Sequence, residues 1–193
     1  MTRLASHYTA LERRLPSDLA IWFFILAELT VFAIFFIGFA VTEQLNPQMF
    51  LDGKSALHPI AGLINTVSLI SSSLFVALSL QYLQENKRQK TRLCLVFAFL
   101  LACLYVVVKM WEYQVLFGHG FNLETNTFFT LYFLITGFHF LHLILGMIIL
   151  IFMIIKAHKI NTQEGVSGFE SGACYWHMLD MLWIILFPLT YVI

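Results

Sequence analysis

Five apolar stretches, each long enough to cross a lipid bilayer as a helix, constrain this chain more than any other feature. A hydrocarbon core of about 30 Å needs about 20 residues of apolar helix, because backbone amides in lipid must be bonded within their own segment. We therefore predict an all-α, polytopic membrane helix bundle, with residues 1–193 forming a single transmembrane domain. The five transmembrane helices are expected roughly over residues 18–41, 59–83, 93–117, 127–155 and 170–193.

The composition agrees with a membrane location. Apolar residues make up 60% of the chain and charged residues 11%, which would leave a soluble domain with too little polar surface. The formal net charge is zero, and no basic face runs along the sequence. Nucleic acid is therefore excluded as a partner.

The distribution of Lys and Arg predicts the orientation. Three basic residues precede the first stretch, four follow the second and two follow the fourth, whereas the opposite side holds only Lys54. Because cytoplasmic loops carry the excess of basic residues, we expect the N-terminus in the cytoplasm. After an odd number of spans the C-terminus would lie in the periplasm.

Several polar side chains lie where lipid would not tolerate them alone. An ionisable group in a span costs about 2.5 to 3.5 kcal/mol on insertion, so such groups normally face the bundle interior and find partners. We interpret eight polar residues within the predicted spans as structural or proton-handling positions: Glu28, Asn65, Lys109, Glu112, His139, His142, His177 and Asp180.

Lys109 and Glu112 are three residues apart, which places them on one face of the third helix. We interpret them as a structural ion pair near the outer end of that span, where Lys can also extend toward the headgroups. A proton-loading role for the carboxylate stays open.

The three histidines of this set belong to two pairs of polar residues, and the members of each pair are three residues apart. His139 and His142 share a face of the fourth helix, and His177 and Asp180 share a face of the fifth. His142 and Asp180 are expected at comparable depth, so a hydrogen bond between them is predicted. A proton relay, a haem held by two histidines, and a metal bound by a His/His/His/Asp set are the alternatives.

Two further positions have simpler interpretations. Glu28 stands alone in an apolar helix and is either protonated, paired with another helix, or placed against another subunit. Asn65 begins a run of small polar residues in the second helix, which permits close helix packing. No catalytic, cofactor-binding or metal-binding residue is expected.

The polar positions belong to longer motifs that resemble one family. The second helix carries Leu63-Ile64-Asn65-Thr66 and the third ends on Trp111-Glu112-Tyr113. The most specific motifs are Thr136-Gly137-Phe138-His139-Phe140-Leu141-His142, Gly168-Phe169-Glu170 and Tyr175-Trp176-His177-Met178-Leu179-Asp180-Met181-Leu182-Trp183. Together with Ala27-Glu28-Leu29, these motifs resemble subunit III of the haem-copper oxidases, in its five-helix form.

The resemblance implies a function. It implies an accessory subunit of a respiratory complex in the bacterial cytoplasmic membrane, with no redox cofactor of its own. The partner would be the catalytic haem-copper subunit, which would hold the haem and metal. The accessory subunit would stabilise that partner, assist proton uptake in some members and contact membrane lipids, with bound phospholipid as a further expectation.

Two points stay open at this stage. Longer family members have two additional N-terminal helices that form a lipid cleft, so lipid binding in such a cleft is the first open point. The second is the partner, because the opening residues 15–22 are most similar to the nitric-oxide-reductase-associated branch, NorE. The partner therefore reduces either oxygen or nitric oxide. Two rivals from other classes are a small proton channel or transporter and a b-type cytochrome that uses His142 and His177.

Overall fold

The computed structural model describes residues 19–157 and 163–192, with side chains described over 21–157 and 167–192. Six helices follow one another: α1 (Leu19–Leu45), α2 (Pro47–Ser55), α3 (Pro59–Gln84), α4 (Arg88–Gly118), α5 (Thr127–Lys156) and α6 (Gln163–Tyr191). Five of them, all except α2, are long and apolar enough to span a membrane. The prediction of an all-α bundle with five transmembrane helices is confirmed.

The observed helices extend beyond the apolar stretches used to predict them. Helix α1 continues to Leu45 rather than 41, α4 begins at Arg88 rather than 93, and α6 begins at Gln163 rather than 170. The added turns carry charged and polar residues, which hydropathy assigns to loops although they continue the helical hydrogen-bond ladder. The basic residues of the predicted N-terminal tail, and Lys159, lie outside the described residues.

Helix α2 is the one element that the sequence did not predict. Pro47 occupies its first turn, where a missing backbone N–H costs no hydrogen bond. Its Phe50 is fully buried, with its ring centroid 5.0 Å from that of Phe39 and 5.2 Å from that of Phe128. The short helix therefore closes one end of the bundle over α1 and α5.

Two tight turns redirect the chain at the ends of α3 and α4. After α3, Asn86 adopts φ 57°, and the N–H of Lys87 donates to the carbonyl of Tyr82 at 2.9 Å. After α4, Gly120 adopts φ 83°, and the N–H of Phe121 donates to the carbonyl of Leu116 at 3.0 Å. Both are Schellman turns, in which a residue with positive φ lets the last helical carbonyls find donors.

Helix α6 lies at the centre of the bundle. It contacts α1, α3 and α5, while α3 also packs along α4 and α4 along α5. Its buried residues Trp176, Leu179 and Trp183 belong to the larger of two hydrophobic clusters. This arrangement brings the polar side chains of α3, α4 and α5 to the surface of α6.

Candidate functional site

The intramembrane polar residues form separate clusters rather than one site. The most enclosed cluster surrounds Lys109 of α4, which is fully buried together with Glu112. The Lys109 ammonium donates to the Glu112 carboxylate, to the Tyr132 hydroxyl and to the Tyr191 hydroxyl, each at 2.9 Å. All three ammonium protons therefore have acceptors within the protein.

The remaining hydrogen-bonding groups of this cluster are satisfied as well. The Tyr191 hydroxyl donates to Glu112, with its oxygen 2.8 and 2.7 Å from the two carboxylate oxygens. The Tyr132 and Tyr191 hydroxyls are 3.1 Å apart. The Trp183 ring lies 5.5 Å from the ammonium and adds a cation–π contact.

The Lys109 cluster joins three helices, because its members come from α4, α5 and α6. The spacing of Lys109 and Glu112 does produce the expected contact. Lys109 does not extend toward the headgroups, the other conformation considered for it, since its side chain is fully buried. The two tyrosines were missed because a hydroxyl partner on another helix leaves no local sequence pattern.

A second cluster pairs α1 with α5. His142 Nε2 lies 2.9 Å from the Glu28 carboxylate, and His142 Nδ1 lies 2.8 Å from the carbonyl of Phe138. Because a carbonyl can only accept, the Nδ1 proton is fixed there, and one further proton is shared between Nε2 and the carboxylate. Both side chains keep some exposure, 12% for His142 and 18% for Glu28.

The predicted hydrogen bond between His142 and Asp180 is wrong. Equal depth was the basis of that prediction, but depth does not fix which neighbour a helical face meets. His142 points to α1 and bonds Glu28, whereas Asp180 lies next to Ser73 of α3. Of the three interpretations considered for Glu28, pairing with another helix is the one that its geometry fits.

His139 is fully buried between α4 and α6. Its Nε2 lies 3.1 Å from the carbonyl of Leu179, and its Nδ1 lies 3.3 Å from the Tyr105 hydroxyl. The carbonyl requires a proton on Nε2, and in the neutral ring Nδ1 then accepts from the Tyr105 hydroxyl. His139 thus acts as a hydrogen-bonded link between α5 and α6, although it shares a helical face with His142.

A third cluster lies where α3 meets α6. Ser73 Oγ is 2.5 Å from His177 Nδ1, and Ser73 also interacts with Asp180. His177 and Asp180 are only partly buried, yet the carboxylate Oδ1 of Asp180 is buried without a hydrogen bond. This cluster is the least satisfied of the three.

The small polar residues of α3 mediate helix packing. Ser68 and Ser72 donate to the carbonyls of Leu101 and Ala98 on α4, at 2.8 and 2.9 Å. Asn65 is fully buried with them, but neither atom of its side-chain amide has a hydrogen-bond partner.

An apolar cavity opens between α1, α5 and α6. Its volume is about 330 Å³, and Phe24, Ile149, Gly172 and Tyr175 are among its lining residues. Within residues 19–157 and 163–192, no group of three or more His, Cys, Asp or Glu side chains converges as a metal site would require.

The fold and these clusters define a class: a multi-pass α-helical membrane protein that links its helices through buried polar contacts. Comparison with known proteins specifies the family. The family model described as cytochrome c oxidase subunit III matches residues 2–193. The chain belongs to the cytochrome c oxidase subunit III family.

Individual relatives agree with this assignment. Cytochrome c oxidase subunit 3 of Homo sapiens is 31% identical over 175 residues, which cover 87% of this chain and 66% of the human protein. The mouse protein is 30% identical with the same coverage. A probable cytochrome c oxidase subunit 3 of Rickettsia conorii is 29% identical over 203 residues, covering 96% of this chain and 70% of the relative. The chain thus spans about two thirds of the length of these relatives.

Proposed function

We propose that this chain is an accessory subunit of a respiratory haem-copper complex in a bacterial cytoplasmic membrane. It would pack beside the catalytic subunit, stabilise it and carry out no redox chemistry of its own. The observation that carries the proposal is the family match, which runs along almost the whole chain. The haem and metal would belong to the catalytic partner.

The geometry of the polar clusters supports this proposal over its two rivals. A b-type cytochrome would need His142 and His177 to meet at one iron, but their contacts are to Glu28 and Ser73 on different helices. A channel would need polar groups that line one continuous path. The Lys109 cluster is instead fully enclosed by its own partners.

Co-purification tests the proposal directly. A tagged copy of the chain, extracted in mild detergent from its native membrane, should recover a haem-containing catalytic subunit. A deletion strain should keep the haem spectrum of that partner but lose complex stability or turnover. Unchanged stability and turnover, or stoichiometric haem in the isolated chain itself, would contradict the proposal.

The proposal leaves two candidates for the catalytic partner, one that reduces oxygen and one that reduces nitric oxide. Similarity of the opening residues to the NorE branch favours a nitric oxide reductase, while the relatives compared above are named for cytochrome c oxidase. Oxygen and nitric oxide consumption by the co-purified complex distinguishes the two. Activity with oxygen alone would exclude the NorE assignment.

Within this proposal, proton uptake by the subunit takes place at the Glu28–His142 pair. That pair is partly exposed and shares one proton between two basic atoms, whereas the Lys109 cluster is closed. Glu28→Gln should then slow turnover of the complex at high pH, where protons are scarce. An unchanged pH profile would remove proton handling from the proposed function.

Bound phospholipid also belongs to the proposal. The cavity between α1, α5 and α6 has mostly apolar walls, which suit an acyl chain. Lipid extraction from the purified chain should yield phospholipid that survives detergent washing. A Gly168→Leu variant, which adds a side chain at a lining position where a Cβ atom would have nothing within 4 Å, should retain less.

A further inference from the structure

Two buried polar atoms on α6 have no hydrogen-bond partner among the residues that the structure describes. They are Nε1 of Trp176, which can only donate, and Oδ1 of Asp180, a carboxyl oxygen that can accept. The Trp176 side chain is 1% exposed, and Oδ1 is buried although Asp180 itself is partly exposed. Buried polar groups nearly always have a partner, so we expect these two atoms to find one inside the chain.

The two residues share one face of α6. Trp176 and Asp180 are four residues apart, so their side chains lie one above the other. Helical side chains lean toward the N-terminus, which directs the Asp180 carboxyl group toward the turn that carries Trp176. Because one atom donates and the other accepts, a single small molecule can bond both.

Packing keeps the two groups from bonding each other directly. The Trp176 ring lies against Gly146 of α5, where an added Cβ atom would be 3.0 Å from Cζ3 and 3.1 Å from Cε3. These carbons are on the edge of the indole opposite to Nε1, so the N–H points away from α5. A ring that is almost fully buried in the larger hydrophobic cluster does not turn without disturbing the core.

The chemistry of the two atoms selects the molecule that fits between them. A cation is disfavoured by the indole N–H, and an anion is disfavoured by a carboxylate. Water accepts from the first group and donates to the second, and the Ser73 hydroxyl beside Asp180 offers a third polar partner. The α3 residues at this level, Ser72 and Ser73, have short side chains that leave more room between the helices than larger residues would.

We propose that one buried water molecule binds on α6 between Trp176 and Asp180, accepting a hydrogen bond from Nε1 and donating one to Oδ1. The site is independent of the proposed function, because it uses only groups within this chain. The water extends the third cluster into the core, so that polar groups run from Trp176 through Asp180 and Ser73 to the partly exposed His177.

Solution NMR of the full-length chain tests the site directly. The chain has four tryptophans, and ¹⁵N labelling of their indole groups gives one N–H signal for each. The signal that disappears in Trp176→Phe is that of Trp176. In the wild-type chain this signal should receive magnetisation from water. Absence of that transfer would overturn the proposal, whatever the variants show.

Variants of Asp180 test whether the water is held at both ends. Asp180→Leu removes the acceptor, so the transfer to Trp176 should be lost, whereas Asp180→Asn keeps an acceptor oxygen and should retain it. The Trp183 signal is the reference in the same sample, because its Nε1 donates to Thr66 Oγ1 at 3.0 Å. An unchanged Trp183 signal shows that the variant is folded. Transfer to Trp176 that persists in folded Asp180→Leu would contradict a bridge to Asp180.

A double-mutant cycle measures how strongly the two residues are coupled. Trp176→Phe removes the N–H and part of the ring, and the loss of ring volume is the same in either background. The unfolding equilibrium constant should therefore rise about 2- to 13-fold more in the wild-type background than in Asp180→Leu, the range for one hydrogen bond. Equal effects in the two backgrounds would count against the site.

A direct bond between Trp176 and Asp180 is the remaining alternative. It would produce the same coupling but no transfer of magnetisation from water to the Trp176 N–H. Coupling without transfer therefore overturns the water site, and coupling together with transfer supports it.

Discussion

At the scale of single residues, the Lys109 cluster explains how a lysine is accommodated inside a membrane span. An ammonium ion taken out of water is costly unless every proton is bonded and a counter-charge is near. Lys109 meets both conditions through Glu112, Tyr132 and Tyr191, all at 2.9 Å. Removing either charge alone should therefore be much more costly than removing both.

Lys109→Met tests this reasoning, because it leaves the Glu112 carboxylate buried without its counter-charge. We expect a loss of about 3 to 5 kcal/mol in the free energy of unfolding. The double variant Lys109→Met/Glu112→Leu should recover a large part of that loss. Denaturation in mixed micelles, followed by tryptophan fluorescence, measures both.

Lys156→Met provides the matched control, since the same chemical change is made at an exposed position. Its effect should stay within about 0.5 kcal/mol. If the double variant instead lost the sum of the two single losses, Lys109 and Glu112 would act independently and the ion pair would not explain their burial.

The residue scale also shows what the sequence could and could not predict. Residues three apart on one helix share a face by geometry alone, so the contact of Lys109 with Glu112 was predictable. The partner of His142 was not, because it depends on which helix packs against that face. Glu28 meets His142 only because α1 lies along α5.

At the scale of helices, glycine determines how closely α5 and α6 approach. A Cβ atom at Gly146 would lie 2.8 Å from Cδ1 of Leu179 and 3.0 Å from Cζ3 of Trp176. Both neighbours are almost fully buried, so neither side chain can move without disturbing the core. Gly137, on the same helix, has nothing within 4 Å of the equivalent position.

Gly146→Ala should therefore destabilise the bundle, whereas Gly137→Ala should not. Overpacking of this kind costs about 1 to 3 kcal/mol. Both substitutions gain about 0.8 to 1.0 kcal/mol of helix propensity, so the overpacking cost is the difference between the two variants. Thermal unfolding of the detergent-solubilised chain measures it, and equal stability of the two variants would contradict the close approach.

Hydropathy was a sufficient guide to the five long helices because lipid imposes one length and one composition on them. It missed α2 because that helix is short and half polar, and its burial depends on Phe39 and Phe128 from distant parts of the chain. The polar clusters lie between helices, so hydropathy could identify their members but not their pairing.

At the scale of the whole molecule, the connection between α3 and α4 carries more basic residues than the connection between α1 and α3. The connection after α3 and the first turns of α4 contain Lys87, Arg88, Lys90 and Arg92. A hydrogen bond with Glu85 raises the pKa of Lys87. The basic residue between α1 and α3, Lys54, is instead paired with Glu43.

Helix α4 has 31 residues, or about 46 Å at 1.5 Å per residue, so its two ends lie on opposite sides of the membrane. From the positive-inside rule we predict that Glu85 lies in the cytoplasm and that Glu124, after α4, lies on the periplasmic side. A chain whose Cys94, Cys103 and Cys174 are replaced by alanine can carry a single cysteine at either glutamate.

A maleimide that crosses the outer membrane but not the cytoplasmic membrane should label Glu124→Cys in intact cells. It should label Glu85→Cys only after the cytoplasmic membrane is permeabilised. Both positions are exposed glutamates, so differences in local accessibility are matched. The reverse labelling pattern would show that the predicted orientation is inverted. The four basic residues beside Glu85 would then lie outside the cytoplasm, contrary to the positive-inside rule.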